Sequence, residues 1–289
     1  MNYILNEKNY IEQVLAGDIA ASAISKQTCI KYLAYYNHHA LGLTKPENIQ
    51  QIKTDMARLY PDFWHVSYDI LIDKYVTAAK KKKLNEIEYI PITAAELNHI
   101  GKLNNNVLEK LAFTMLVFAK YNNTINPQNS DWTSCSYKDL FTASNISGSF
   151  NEKLLYIRKL YVSDYIGVSA NGCSENLQLN FVDHTDATPA LKITDFRSLG
   201  YQYLRWKGQK KDGIFKECKD CNVCYKAKTA NQQYCPSCQN KRLAKESTNI
   251  RTCEDCGKEF LVIHGNSRQK KCAKCYSAFR REYLKTHNE

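Results

Sequence analysis

Nine of the twelve cysteines in this 289-residue chain fall between Cys218 and Cys275. Two residues between thiolates let one tight turn aim both sulfurs at a single tetrahedral ion about 2.3 Å away, and two such turns close a structural site. Four Cys-x-x-Cys pairs follow one another: Cys218 or Cys221 opening the first, then Cys235 with Cys238, Cys253 with Cys256, and Cys272 with Cys275. Eight ligands imply two zinc ions per chain. The centres are expected to be structural, because a catalytic zinc usually keeps an open position and mixes in His or carboxylate. His264 enters such a site only by displacing a cysteine.

Cys224 leaves the first pair ambiguous, since Cys218-Cys221 and Cys221-Cys224 have the same spacing. An internal repeat selects the former. Glu217-Cys218-Lys219-Asp220-Cys221 matches Thr252-Cys253-Glu254-Asp255-Cys256, and an aromatic residue, Tyr225 or Phe260, follows four positions after the second cysteine. Asn231 to Cys235 likewise parallels Ser267 to Cys272. The register leaves 13 residues between pairs in the first module and 15 in the second. Cys224 becomes the spare, available as a substitute ligand. Cys29, Cys135 and Cys173 lie outside the cluster and are expected to be small buried apolar residues.

This tandem unit resembles the zinc-ribbon and treble-clef modules common at the ends of DNA-associated and phage proteins. The resemblance implies that the cysteines are scaffold and that binding falls to neighbouring basic residues: Lys226, Lys228, Lys241, Arg242, Arg268, Lys270, Lys271 and Lys274. Charge is distributed accordingly. Residues 1–208 carry 22 Lys and Arg against 20 Asp and Glu, whereas residues 209–289 carry 18 against 9, so nearly all of the formal +11 sits in the tail. Two four-thiolate zinc centres at −2 each bring that tail from +9 to about +5.

Helices must hold the rest. From Asn106 to Tyr121 apolar residues recur at helical spacing, which predicts a largely buried helix. A polar loop follows, then a short segment from Tyr137 to Ala143 behind Ser136. Ser149-Phe150-Asn151-Glu152 is a capping box opening a helix to about Val162, with Leu154, Leu155, Ile157, Leu160 and Tyr161 available to a core. Asp164 to Ser169 and Asn176 to Val182 alternate as strands around an Ala170-Asn171-Gly172 turn.

Helix, helix, capped helix and hairpin in this order resemble a winged helix-turn-helix domain over about residues 106–183. The resemblance implies that Ser149 to Val162 is the recognition helix, that Asn151, Lys153, Arg158 and Lys159 are groove or phosphate contacts, and that the hairpin is the wing.

The front of the chain is expected to be helical: Ile24 to Tyr36, a helix capped by Thr44 with Pro46 and Glu47 and stopped by Pro61, another from Phe63 to about Lys83, a short strand within Ile87 to Ile92, and a helix capped by Thr93 and Glu96. Lys80 to Lys83 suits the negative end of a helix dipole. His38 and His39 point about 100° apart on a helix and are assigned no role. The phrases Leu108 to Thr114 and Asp195 to Tyr201 give residues 1–208 a resemblance to proteins of phages and mobile elements of low-GC Gram-positive bacteria.

The sequence therefore predicts a mainly α protein: a helical domain (1–105), a winged-helix-like domain with an extension (106–208), a first zinc module (209–245) and a second with a basic C-terminal helix (246–289). With 44% hydrophobic residues it is not a disordered chain. It contains no run of about 18 apolar residues and no signal-peptide pattern, so a cytoplasmic location is expected. Neither a P-loop nor a nucleophilic tyrosine behind His-x-x-Arg occurs. His264-Gly265-Asn266 between cysteine pairs suggests an HNH-type nuclease, yet the further histidines that chemistry needs are missing from the module. The expected function is non-enzymatic binding of nucleic acid, DNA in the first instance, as a replication or transcription accessory factor; an adaptor docking its zinc modules on a protein of that machinery is the alternative.

Overall fold

The computed structural model describes residues 3–169, 175–185, 187–208, 213–246, 249–262 and 269–286. It divides into two units, Met1–Gly208 and Gln209–Glu289. The first begins with helices α1 (Glu7–Ala16), α2 (Lys26–His39), α3 (Lys45–Leu59) and α4 (Asp69–Ala79). Their apolar faces meet in one core, where Ile11, Ile30, Leu33, Ile52, Met56 and Ile72 are fully buried. At the start of α3 the Thr44 N–H donates to Glu47 Oε2 at 2.8 Å and Pro46 occupies the first turn, so the donors that a helix N-terminus leaves open are satisfied locally. Buried Asn48 donates to the Ala34 carbonyl at 2.9 Å and accepts from Asn37, which ties α3 to α2.

The single helix expected from Phe63 to about Lys83 is two pieces. A 3-10 turn covers His65–Tyr68, α4 then runs only to Ala79, and the four lysines follow its end. Residues five apart on an α-helix face about 140° away from each other. The rings of Phe63 and Tyr68 stack with centroids 5.2 Å apart and both pack on the core, and only a tighter turn brings them together.

Next come β1 (Ile90–Ile92), α5 (Ala94–Gly101), α6 (Asn106–Ile125), α7 (Tyr137–Ala143) and α8 (Phe150–Val162). Every residue of α6 from Leu111 to Ala119 is buried, as befits a helix apolar on all sides. α5, α7, α8 and a later helix, α9 (Leu199–Lys207), all pack on it. Strands β2 (Ile166–Val168) and β3 (Leu177–Leu179) pair antiparallel with Ile166 opposite Leu179. The loop before α7 joins them: the Thr133 N–H donates to Leu177 O at 2.9 Å and the Leu179 N–H to Asp131 O at 3.1 Å.

Two features tie residues 90–96 to the remainder of the first unit. β1 pairs antiparallel with β4 (Leu191–Ile193), Ile90 standing opposite Ile193. Glu96, whose side chain is wholly buried, caps α5 through the Thr93 N–H at 2.8 Å, accepts two hydrogen bonds from Lys120 of α6 at 2.9 and 3.0 Å, and accepts one from the Asp183 N–H at 3.0 Å. A buried carboxylate needs such partners to offset its desolvation.

The sequence patterns do not predict α9. Its Tyr203 hydroxyl donates to buried Glu109 of α6 at 2.9 Å, and Lys207 reaches the same oxygen at 2.6 Å. Gly200 lets it approach: a Cβ there would lie 2.0 Å from the Ser144 carbonyl oxygen at the end of α7. Cys29 and Cys135 are buried, and burial pushes their thiols up to about 11 and about 12. Cys173 and the Ala170-Asn171-Gly172 turn lie outside the described residues.

Among the described residues no helix is long and apolar enough to cross a membrane.

Candidate metal centres

The second unit builds the same short motif twice. In the first module β5 (Ile214–Glu217) and β6 (Cys224–Ala227) form a hairpin with Glu217 opposite Cys224, and α10 (Pro236–Glu246) follows. Cys218 and Cys221 occupy the turn between the strands, Cys235 immediately precedes α10 and Cys238 lies in its first turn. In the second module β7 (Asn249–Thr252), β8 (Glu259–Val262) and α11 (Ala273–Thr286) place Cys253, Cys256, Cys272 and Cys275 likewise.

Equivalent hydrogen bonds shape both turns. The Cys218 N–H donates to Val223 O at 3.0 Å and the Asn222 N–H to Cys218 O at 2.9 Å; the Cys253 N–H donates to Lys258 O and the Gly257 N–H to Cys253 O, each at 2.9 Å. The residue after the second cysteine must then adopt positive φ, 57° at Asn222 and 66° at Gly257, and Asn and Gly are the residues that tolerate it. The Lys219 N–H donates to Gln233 O and the Glu254 N–H to Lys270 O, both at 3.1 Å, drawing the second pair over the first.

The result is two groups of four sulfurs, Cys218, Cys221, Cys235 and Cys238, and Cys253, Cys256, Cys272 and Cys275, each group lying within 4.8 Å of one another. Tetrahedral zinc with bonds of about 2.3 Å sets an S···S edge of about 3.8 Å. Cys221 and Cys235 are 3.8 Å apart, as are Cys256 and Cys272. The donor set and spacing fit two structural metal ions, zinc before any other, because four thiolates suit a soft tetrahedral ion. The structure brings together the eight cysteines selected by the repeat. Cys224 is buried at the start of β6 and is not in either group.

The thiols within each group differ. Burial raises the Cys218 pKa, but backbone N–H groups of Cys235, Asp220 and Cys221 outweigh it and hold the thiol at about 6. The Cys272 N–H does the same for Cys253, also at about 6. Burial and the neighbouring sulfurs push Cys238 up to about 12, and bonds to Cys256 and Cys272 push Cys275 to about 12. Metal entry must expel the protons that Cys238 and Cys275 hold.

Around the sulfurs, carboxylates claim part of the expected basic surface. Arg242 pairs with Asp220, Lys270 with Glu254 at 3.1 Å and Lys271 with Asp255 at 3.0 Å. Asp220 and Asp255 each precede the second cysteine of their module, a match within the repeat that signalled their shared role. Lys226, Lys228, Lys241 and Lys274 are exposed. Arg268 and His264 lie outside the described residues.

In the first unit, Asn151, Arg158 and Lys159 are exposed along α8. Lys153 is half-buried, its ammonium 5.6 Å from the centroid of the Phe141 ring beside a groove lined by Tyr137 and Phe150. Ile157 and Leu160 face the core as expected. Leu155 and Tyr161 do not: they are 55% and 51% exposed, because α8 touches α6 along a stripe too narrow to cover them.

Comparison with family models, with curated proteins and with solved structures yields no match.

Proposed function

We propose that this chain is a non-enzymatic, zinc-containing nucleic-acid-binding protein, in which residues 106–183 act as a winged helix-turn-helix and the zinc modules present basic side chains to phosphate. The observation that carries this reading is a backbone bridge, with Trp132 standing antiparallel to Gln178. Asp131 and Thr133 exchange backbone hydrogen bonds with β3, so the loop between α6 and α7 backs the hairpin that follows α8, an arrangement that suits α8 as a recognition helix. Asn151, Arg158 and Lys159 then lie on the exposed side of that helix, and the tail's Lys226, Lys228, Lys241 and Lys274 add sequence-independent attraction. A replication or transcription accessory role on phage or mobile-element DNA suits this combination.

Fluorescence anisotropy with labelled duplex and single-stranded DNA at two salt concentrations tests it. Affinity should fall steeply with salt, and Arg158→Gln or Lys159→Gln should each lower the salt slope by about one. Absence of binding at low salt refutes the reading. A protein adaptor is the second reading, favoured by one observation: Leu155, Tyr161 and Val162 of α8 are more than half exposed, an apolar presentation that phosphate does not need. A pull-down that survives nuclease treatment would favour it.

A further inference from the structure

Among the described residues the two centres share backbone and ligand type but not surroundings. Around the first, Cys218, Tyr225, Ala227, Cys235 and Cys238 form a buried cluster on which Cys221 and Tyr234 pack. The Tyr225 hydroxyl, on a side chain only 4% exposed, donates to Gln232 O at 2.9 Å. Gln232 in turn accepts from the Lys228 N–H at 2.8 Å and donates to Tyr234 O at 2.9 Å. The loop between β6 and α10 is thus laced across the sulfurs.

Around the second, Cys253 is buried, but Cys256 is exposed and Cys272 and Cys275 are only half-buried. Phe260, equivalent to Tyr225, is half-buried and has no hydroxyl with which to fasten a loop. A four-thiolate centre loses its ion one sulfur at a time, as each is captured by a proton, a competing ligand or an electrophile. Access to the first sulfur therefore sets the rate.

Taking the two-zinc reading as its basis, we propose that the second centre is the exchangeable metal site of this protein. Cys256 is the sulfur that solvent reaches first, and the first centre keeps its ion. Release frees Cys272 and Cys275, and with them the start of α11, so metal supply or thiol chemistry controls the presentation of Lys274 and Arg281 without disturbing the first module.

The test follows the full-length zinc-loaded protein by native mass spectrometry during challenge with a chromophoric pyridylazo chelator. Release in two phases differing at least tenfold in rate is expected, with a one-zinc species between them. Iodoacetamide added at that stage labels the freed thiolates, each sulfur bonding to carbon as iodide leaves, and peptide mapping should place the label on Cys256, Cys272 and Cys275 while Cys218 and Cys235 stay unlabelled. Cys256→Ser should lack the fast phase and keep the slow one; Cys221→Ser should lack the slow one. Monophasic loss of both ions, or a one-zinc species labelled at Cys221 or Cys235, overturns the proposal. Protein that binds no zinc at all overturns the metal reading beneath it, an outcome visible before the chelator is added.

Discussion

Arg242 grips Asp220 through two hydrogen bonds, 2.7 Å from Nε and 2.8 Å from a terminal nitrogen, with its guanidinium 3.9 Å over the Tyr234 ring. In the second module the position of Arg242, four after the last cysteine, is Phe279, and the position of Tyr234 is Lys271. Lys271 pairs with Asp255 and lies 4.7 Å over Phe279. Cation and aromatic have exchanged places between helix and loop while the aspartate stayed. The same clasp holds each helix to its cysteine turn.

Arg242, expected to contact nucleic acid, is on this geometry first a fastener. Arg242→Ala should destabilise the first module by about 1 kcal/mol, since the pair is partly exposed but bidentate and ring-stacked. The double variant Arg242→Phe with Tyr234→Lys should recover part of that loss. Thermal unfolding of the zinc-loaded protein measures both, and a double variant no better than the sum of the singles would refute the exchange.

Elemental analysis of protein purified without added zinc should give two zinc ions per chain, and Cys224→Ser should retain both. Loss of one ion in that variant would move the first pair to Cys221 and Cys224.

Acid should release the metal. Every zinc–sulfur bond needs a thiolate, so protons compete with the ion for the sulfurs and zinc content should fall monotonically as pH is lowered. Filtration followed by metal analysis from neutral pH down to about pH 3 checks this; zinc content unchanged over that range would contradict it.

Lys120→Met should cost about 3–5 kcal/mol in urea unfolding, the penalty of stranding a buried carboxylate at Glu96. Exchanging Glu96 and Lys120 together for Leu and Met should recover much of this, because no charge then remains buried. A single variant that loses less than the double would show that the pair is not what joins α5 to α6.

Gly200→Ala should destabilise the first unit by about 1–3 kcal/mol, since the added methyl meets the Ser144 carbonyl and α9 must retreat from α7. Zinc content should not change, because the cysteines belong to the other unit.

What the amino-acid sequence determined by itself was local. Spacing between neighbouring cysteines dictates a turn, so the eight-sulfur set came from the repeat. Three capping boxes, at Thr44, Thr93 and Ser149, marked helix starts because the bonds involved span three residues. The all-apolar pattern of α6 announced a central helix. Tertiary structure alone decided the rest. Strands of three residues, such as β1 and β4, carry too little pattern to reveal a partner a hundred positions away. Leu155 is indistinguishable from a core leucine until the width of the α8 contact is known. A lysine or arginine is available to phosphate only if no carboxylate arrives beside it, which for Arg242 depended on where Asp220 came to lie. The unequal cover over the two metal centres had the same origin: identical spacing within each cysteine pair builds equivalent turns, while the side chains that shield them come from the packing of everything around.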